Sequence, residues 1–157
     1  TVMTNSHKLT IIVFVALLIS SCSREKREPK NSLIFPKGEL IRSDHFIGNA
    51  WLEMLVFSDS LNRNAVGNVT FEPGARTYWH SHPNGQIILA LEGEGFYQEK
   101  GSSKKTLHKG DVVKCPPNTP HWHGASEDKE FIQIAITSRV DGPTEWLSPV
   151  TKDEYNH

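Results

Sequence analysis

Residues 74–93 read Gly-Ala-Arg-Thr-Tyr-Trp-His-Ser-His-Pro-Asn-Gly-Gln-Ile-Ile-Leu-Ala-Leu-Glu-Gly. On a strand, successive side chains leave opposite faces, so His80 and His82 share one face while Trp79 and Ser81 take the other. The Pro83-Asn84-Gly85 turn then lets the chain return, with Gln86 opening the next strand beside the same imidazoles. A second pair, His121 and His123, flanks Trp122 after the turn signal Pro116-Pro117-Asn118. Of the 8 histidines, His7, His45, His108 and His157 follow no pattern, and the rest all fall in these two His-x-His pairs. Three imidazoles and one neutral amide oxygen suit a borderline divalent ion. His80, His82, Gln86 and His121 are therefore the expected ligands, converging in the mouth of a small β-barrel.

Around this stretch the chain reads as short strands punctuated by turn residues, without a long helical period or an internal repeat. Residues 48–57, 64–71 and 76–82 are strand candidates, with Glu72-Pro73-Gly74 as a turn. Residues 86–91 form a nearly continuous apolar run, and Glu92-Gly93-Glu94-Gly95 permits a tight turn into Phe96–Glu99. Residues 104–107, 112–115, 121–124 and 131–137 complete the set, and Pro116-Pro117 cannot continue a central strand. Many short antiparallel strands at this spacing define an all-β sandwich or barrel. Near the end, Thr151 and Glu154 have capping-box spacing and predict one helical turn.

The first 21 residues read differently. The apolar run 9–19, preceded by His7-Lys8, falls short of the roughly 20 residues a membrane-spanning helix needs. A short basic start, a short apolar stretch and then small residues form an export signal. Ile19-Ser20-Ser21-Cys22 resembles a bacterial lipobox, which implies lipidation at Cys22, attachment to the cell envelope through the lipid, and, with Ser23 following, placement at the outer membrane. Residues 22–40 then read as the anchored Cys and a tether that opens with Ser-Arg-Glu-Lys-Arg-Glu-Pro-Lys-Asn-Ser, a composition that buries nothing. Lipidated Cys22 leaves Cys115 alone, so the mature chain has no intramolecular disulfide, and Cys115 reads as a small buried hydrophobe. Cleavage before Cys22 removes only Lys8 among the charged residues, making the formal charge of −1 one unit more negative. With no basic patch interleaved with aromatics, nucleic acid is not an expected partner. About 120 residues follow the tether, enough for one core. The expected layout is a single domain over 41–140 and a C-terminal tail over 141–157.

Two spacings carry a family resemblance. Gly74, five residues, His80-x-His82, three residues, Gln86, six residues and Gly93 match the first motif of the cupins. Gly110, five residues, Pro116 and then His121 match the second. The chain resembles a small single-domain cupin of type 2, which implies a double-stranded β-helix (a jelly-roll barrel), usually a homodimer. More narrowly, Val69–Gln86 with Pro120-His-Trp-His-Gly-Ala is similar to bacterial cupins that include manganese-dependent hydroxynitrile lyases, related to cupins associated with carboxymuconolactone decarboxylase domains. The resemblance implies a small-molecule substrate and a divalent metal, with Mn first and Fe, Ni, Co or Zn as alternatives.

Three departures from the usual cupin pattern bear on the resemblance. Gln86 occupies the position where cupins usually carry Glu, so the ion keeps its full charge and is a stronger Lewis acid; this exchange is shared with the lyase-like group. Asn118 and Ala125 replace Gly and Asn of the second motif. Gln133 stands where the lyase-like proteins carry a His, and an amide cannot act as a base. Proton transfer therefore falls to His123, whose ordinary pKa of about 6.5 suits that role. The expected substrate pocket comprises Val69, Thr77, Tyr78 and Gln133, with strict alternation favouring Tyr78 over Thr77 unless a bulge near Gly74 switches the face. Trp79, Trp122 and Phe131 read as core. Three functions fit these residues: a Lewis-acid lyase, an Fe- or Mn-dependent dioxygenase-type oxidoreductase, and a non-catalytic cupin holding a metal or small ligand.

Overall fold

The apolar runs and turn residues of the described part of the chain, residues 33–157 of the computed structural model, produce twelve strands and one short helix. These are β1 (Glu39–Leu40), β2 (Phe46–Ile47), β3 (Ala50–Val56), β4 (Asn64–Phe71), β5 (Arg76–Thr77), β6 (His80–Ser81), β7 (Gln86–Glu99), β8 (Lys105–His108), β9 (Val112–Cys115), β10 (His121–Ala125), β11 (Phe131–Ser138), β12 (Glu145–Trp146) and α1 (Lys152–Asn156). The export signal, Cys22 and the first part of the tether lie outside the described residues.

The strands pair antiparallel in the order β1-β3-β4-β11-β7-β10-β5-β2, with β8 and β9 also on β7, and with β12 on β6 and β6 on β10. This curled all-β sheet is the expected jelly-roll barrel. Its spine is β7. The first half of β7 pairs with β9 and β11, and the second half with β8 and β10, so one strand serves both walls of the barrel. The sequence permitted a tight turn at Glu92–Gly95, but the strand runs through that segment and bends instead. Gly93 takes φ 78° at the bend, where a Cβ would collide with the Glu130 carbonyl, and the β11–β7 register shifts between Ile132 and Gln133.

The expected strand 76–82 is likewise broken, into β5 and β6 on either side of Tyr78-Trp79. The Tyr78 amide donates to the His45 carbonyl (2.8 Å) and the Trp79 amide to the Ser148 carbonyl (3.0 Å), leaving the ladder to β10 at these two residues. This break resets the inward–outward alternation.

Two apolar clusters follow from the alternation. Ala50, Val69, Phe71, Ile88, Tyr97 and Phe131 belong to the core inside the barrel, where Cys115 is also buried. Trp79 and Trp122, pointing the other way, form a second cluster with Val150 and Tyr155. Residues 141–157 are therefore not a tail: β12 extends the sheet beside β6, and α1 covers the outer face. The predicted capping box is present, with Thr151 Oγ1 accepting from the Glu154 amide (3.1 Å) and Glu154 Oε2 accepting from the Thr151 amide (2.9 Å). Tyr155 packs on Trp122 with ring centroids 5.7 Å apart, and its hydroxyl donates to the Ala125 carbonyl at 2.9 Å.

A five-residue helix has no stability of its own, so its place depends on this packing. Tyr155→Ala is expected to cost about 3–5 kcal/mol, the range for truncating a buried aromatic. Urea unfolding measures it; a loss within about 0.5 kcal/mol, as for a surface site, would mean that α1 is not part of the core.

Candidate metal centre

His80 and His121 are direct partners across the β6–β10 ladder, and His82 follows two residues after His80 on the same face. One ligating nitrogen from each of these buried imidazoles lies within 4.8 Å of the other two. The opposite nitrogens are held from behind. His80 Nδ1 lies 2.9 Å from the Tyr78 carbonyl, His121 Nδ1 lies 2.9 Å from the Thr119 carbonyl, and His82 Nδ1 lies 3.3 Å from Thr144 Oγ1. A carbonyl only accepts, so the proton of His80 and of His121 is on Nδ1 and each Nε2 presents a lone pair.

Gln86 completes the set. Its Nε2 donates to Thr137 Oγ1 (2.9 Å), its partner across the β7–β11 ladder, which turns Oε1 toward His121 Nε2 at 3.4 Å. Oε1 and Nε2 are then two acceptors facing each other with no proton between them. His82 Nε2 is also buried without a hydrogen-bond partner. Buried acceptors left in this state are costly, and a shared cation satisfies them. The residues present therefore fit a divalent ion held by three imidazoles and an amide oxygen.

Burial is the first cause of the low basicity of all four imidazoles. His80 is held well below 6.5 by burial and then by His121 and His123. His82 falls to about 3 through burial, then His121 and Arg139. His121 is lowered by burial against an opposing hydrogen bond to Thr119. His123 lies well below 6.5 through burial, then His121 and His82. At neutral pH the whole cluster is uncharged, the form that binds metal.

His123 stands beside this cluster, its ring centroid 5.2 Å from that of His80. Its Nδ1 lies 3.1 Å from Gln133 Nε2, and its backbone amide donates to Thr77 Oγ1 at 3.2 Å. A cavity of about 140 Å³ opens in front of His80, His82 and His123. Val69 and Thr77 line it. Gln133 is fully buried behind His123 rather than on the cavity wall. Tyr78 is not part of the lining. Its ring packs edge-on against His45 at 6.0 Å, and the strand break at Tyr78-Trp79, not a bulge near Gly74, turns Thr77 inward.

Eleven lining residues were not anticipated, and Thr137, Arg139, Thr144 and Trp146 bring polar groups to the mouth. The signal for two of these four was present in β11 and the residue after it, where Ala135, Thr137 and Arg139 follow Gln133 at period two on the inward face. Thr144 and Trp146 lie in a segment whose sequence alone does not reveal its pairing with β6.

A sheet curled into a barrel with histidines from two adjacent segments at its mouth defines a β-barrel with a candidate metal centre. Residues 67–137 match the family model described as "Cupin domain". The chain is 39% identical over 114 residues to (R)-mandelonitrile lyase of Granulicella tundricola, covering 72% of this chain and 87% of that protein. The chain belongs to the cupin family. It is also 30% identical over 81 residues to acireductone dioxygenase 1 of Pectobacterium atrosepticum, spanning 45% of that protein's length. A solved cupin-like protein from Thermotoga maritima superimposes with a TM-score of 0.77 at 50% identity, covering 80% of this chain and 96% of that one.

Two outcomes follow from the site. Purified protein is expected to bind a divalent ion, measured by elemental mass spectrometry, with His80→Ala losing it and Thr144→Ala weakening affinity about 10- to 100-fold. In the metal-free protein, His82 titrates near 3 when folded and near 6.5 when unfolded. Between those values the unfolded chain binds the extra proton, so stability is full above 6.5 and is lost as pH falls toward 3. Each imidazole so depressed contributes a slope of up to about 1.4 kcal/mol per pH unit. Denaturant unfolding across pH 4–7 reads it, and a flat profile would contradict neutral, buried imidazoles.

Proposed function

We propose that this cupin is a metal-dependent lyase that breaks or forms a carbon–carbon bond beside an oxygen of a small substrate. The observation that carries the proposal is the facing pair of acceptors, Gln86 Oε1 and His121 Nε2, within a ligand set that bears no charge. A divalent ion there, with Mn as the first choice, supplies Lewis acidity toward a substrate oxygen. His123 takes or returns the proton. Burial keeps its imidazole neutral, the form that accepts a proton, and its place beside His80 brings it to the same cavity. Gln133 cannot itself move a proton. It positions His123, since its amide offers a donor or an acceptor to Nδ1 and so serves either tautomer. Phe46, Leu52, Met54 and Val69 give the cavity an apolar wall that holds the substrate's body and limits water.

The likeness to (R)-mandelonitrile lyase supports this reaction class. Cleavage of a cyanohydrin balances within it: the hydroxyl proton passes to His123, the carbon–cyanide bond breaks with its electron pair leaving on cyanide, and the aldehyde carbonyl forms. A dioxygenase-type reaction is the second reading, favoured by the match to the acireductone dioxygenase. Attachment to the cell envelope through Cys22 and assembly as a homodimer belong to the proposal and rest on the sequence alone.

With Mn(II)-loaded protein and mandelonitrile, benzaldehyde release is expected above the buffer rate. His123→Ala is expected to lower kcat about 10²- to 10⁴-fold with bound metal unchanged. No release with fully loaded protein, together with oxygen uptake by the Fe(II) form on an enediol, would replace the lyase reading with the second one.

A further inference from the structure

Arg139 is the one charged residue lining the cavity: its neighbours there are neutral histidines, Gln86, threonines, Gly67 and apolar side chains. It stands at the mouth, because Arg139, Thr144 and Trp146 line both this cavity and the open depression outside it. No ion pair among the described residues involves it. The acids nearest in sequence are engaged elsewhere, Asp141 accepting from Asn84 Nδ2 (2.8 Å) and Glu145 from Ser81 Oγ (3.2 Å). Nη1 donates to Thr144 Oγ1 at 3.1 Å, and Thr144 Oγ1 in turn lies 3.3 Å from His82 Nδ1. The guanidinium is thus braced against the same threonine that backs a metal-site histidine, and most of its five donors are left for another acceptor.

We infer that Arg139 makes this site selective for small carboxylates, with the carboxylate on the guanidinium and an apolar body on the wall formed by Leu52, Met54 and Val69. The inference rests on the proposed metal-cupin function only in taking this cavity as the ligand site. A planar, bidentate carboxylate is what a guanidinium fork recognises best. A cavity of about 140 Å³ suits a body the size of one benzene ring. No acid in the lining repels an incoming anion, and Arg139 itself lines the cavity.

Benzoate and benzamide have the same shape and differ in charge, so they isolate the role of Arg139. Calorimetric titration of both into metal-free and Mn(II)-loaded protein is the test. Wild type is expected to bind benzoate about 10- to 100-fold more tightly than benzamide. Arg139→Gln is expected to abolish that preference while leaving benzamide affinity unchanged, and Arg139→Lys to retain part of it. Equal binding of the two ligands by wild type, no binding of benzoate, or a preference that survives Arg139→Gln would each overturn the inference. The metal-free arm separates it from the proposed function. A benzoate preference in protein that binds no metal would remove the lyase and keep Arg139's role, whereas metal binding without the preference would do the reverse.

Discussion

Everything at the barrel mouth depends on one antiparallel contact, the pairing of His80 with His121 across β6 and β10. Because side chains alternate, a slip of one residue would turn His80, His82, His121 and His123 outward and bring Trp122 in. β6 is only two residues long and cannot hold that register by itself. It is held on its other edge by β12, where Trp146 pairs with His80, and the Leu147 amide donates to the Trp79 carbonyl at 2.8 Å. Side chains reinforce this. The Trp79 indole donates to Glu154 Oε1 at 3.2 Å and Ser81 Oγ to Glu145 Oε2 at 3.2 Å. The C-terminal segment thus fixes the register of a metal site to which it gives no ligand. Packing on one face of the sheet and chemistry on the other are two consequences of the same alternation.

The electrostatic character of the site follows from what is missing. Four imidazoles are buried together, no carboxylate lines the cavity in front of His80, His82 and His123, and the charge of Glu99 opposes burial only in part at His121. Protonating one would place a cation in a poorly solvated space beside three others, so the cluster stays neutral and keeps its lone pairs for a cation of higher charge. Backbone carbonyls behind His80 and His121 fix which nitrogen presents its lone pair, and Thr137 fixes which end of Gln86 does. The preorganisation comes from ordinary ladder geometry: Thr137 and Gln86 are cross-strand partners, as are His80 and His121.

The ligands and the barrel were legible in the sequence because both are periodic features. His-x-His on a strand has one geometric outcome, and β4 falls on the residues expected from alternation. Three things escaped because they are set by contacts distant in sequence. The chain bends at Gly93 beside the Glu130 carbonyl, which leaves no room for a Cβ there and accepts from the Glu94 amide at 3.2 Å. Thr77 displaces Tyr78 from the cavity because His45 and Ser148 draw Tyr78 and Trp79 out of the ladder. Residues 141–157, polar and turn-rich enough to read as a tail, become wall and cover only through β6 and the outer face of Trp122. Arg139 was readable in principle, at period two from Gln133, but only once β11 was known to face the cavity up to its end.

Gln86 and Arg139 make sense together. A glutamate at position 86 would cancel part of a divalent ion's charge and would also offer the Arg139 guanidinium an acid within the same cavity. With an amide there, neither positive group is neutralised by the protein, and the lining holds nothing that offsets them. Arg139 is half-buried at the mouth, with guanidinium donors that call for an acceptor beside a wall that calls for an apolar body. An anion that brings its own apolar body satisfies both demands. Its charge meets the Arg139 guanidinium, and its body covers the wall of Leu52, Met54 and Val69. The neutral ligand set and Arg139 thereby favour a substrate that carries negative charge or develops it as its bond breaks, while the apolar wall takes the body of either kind.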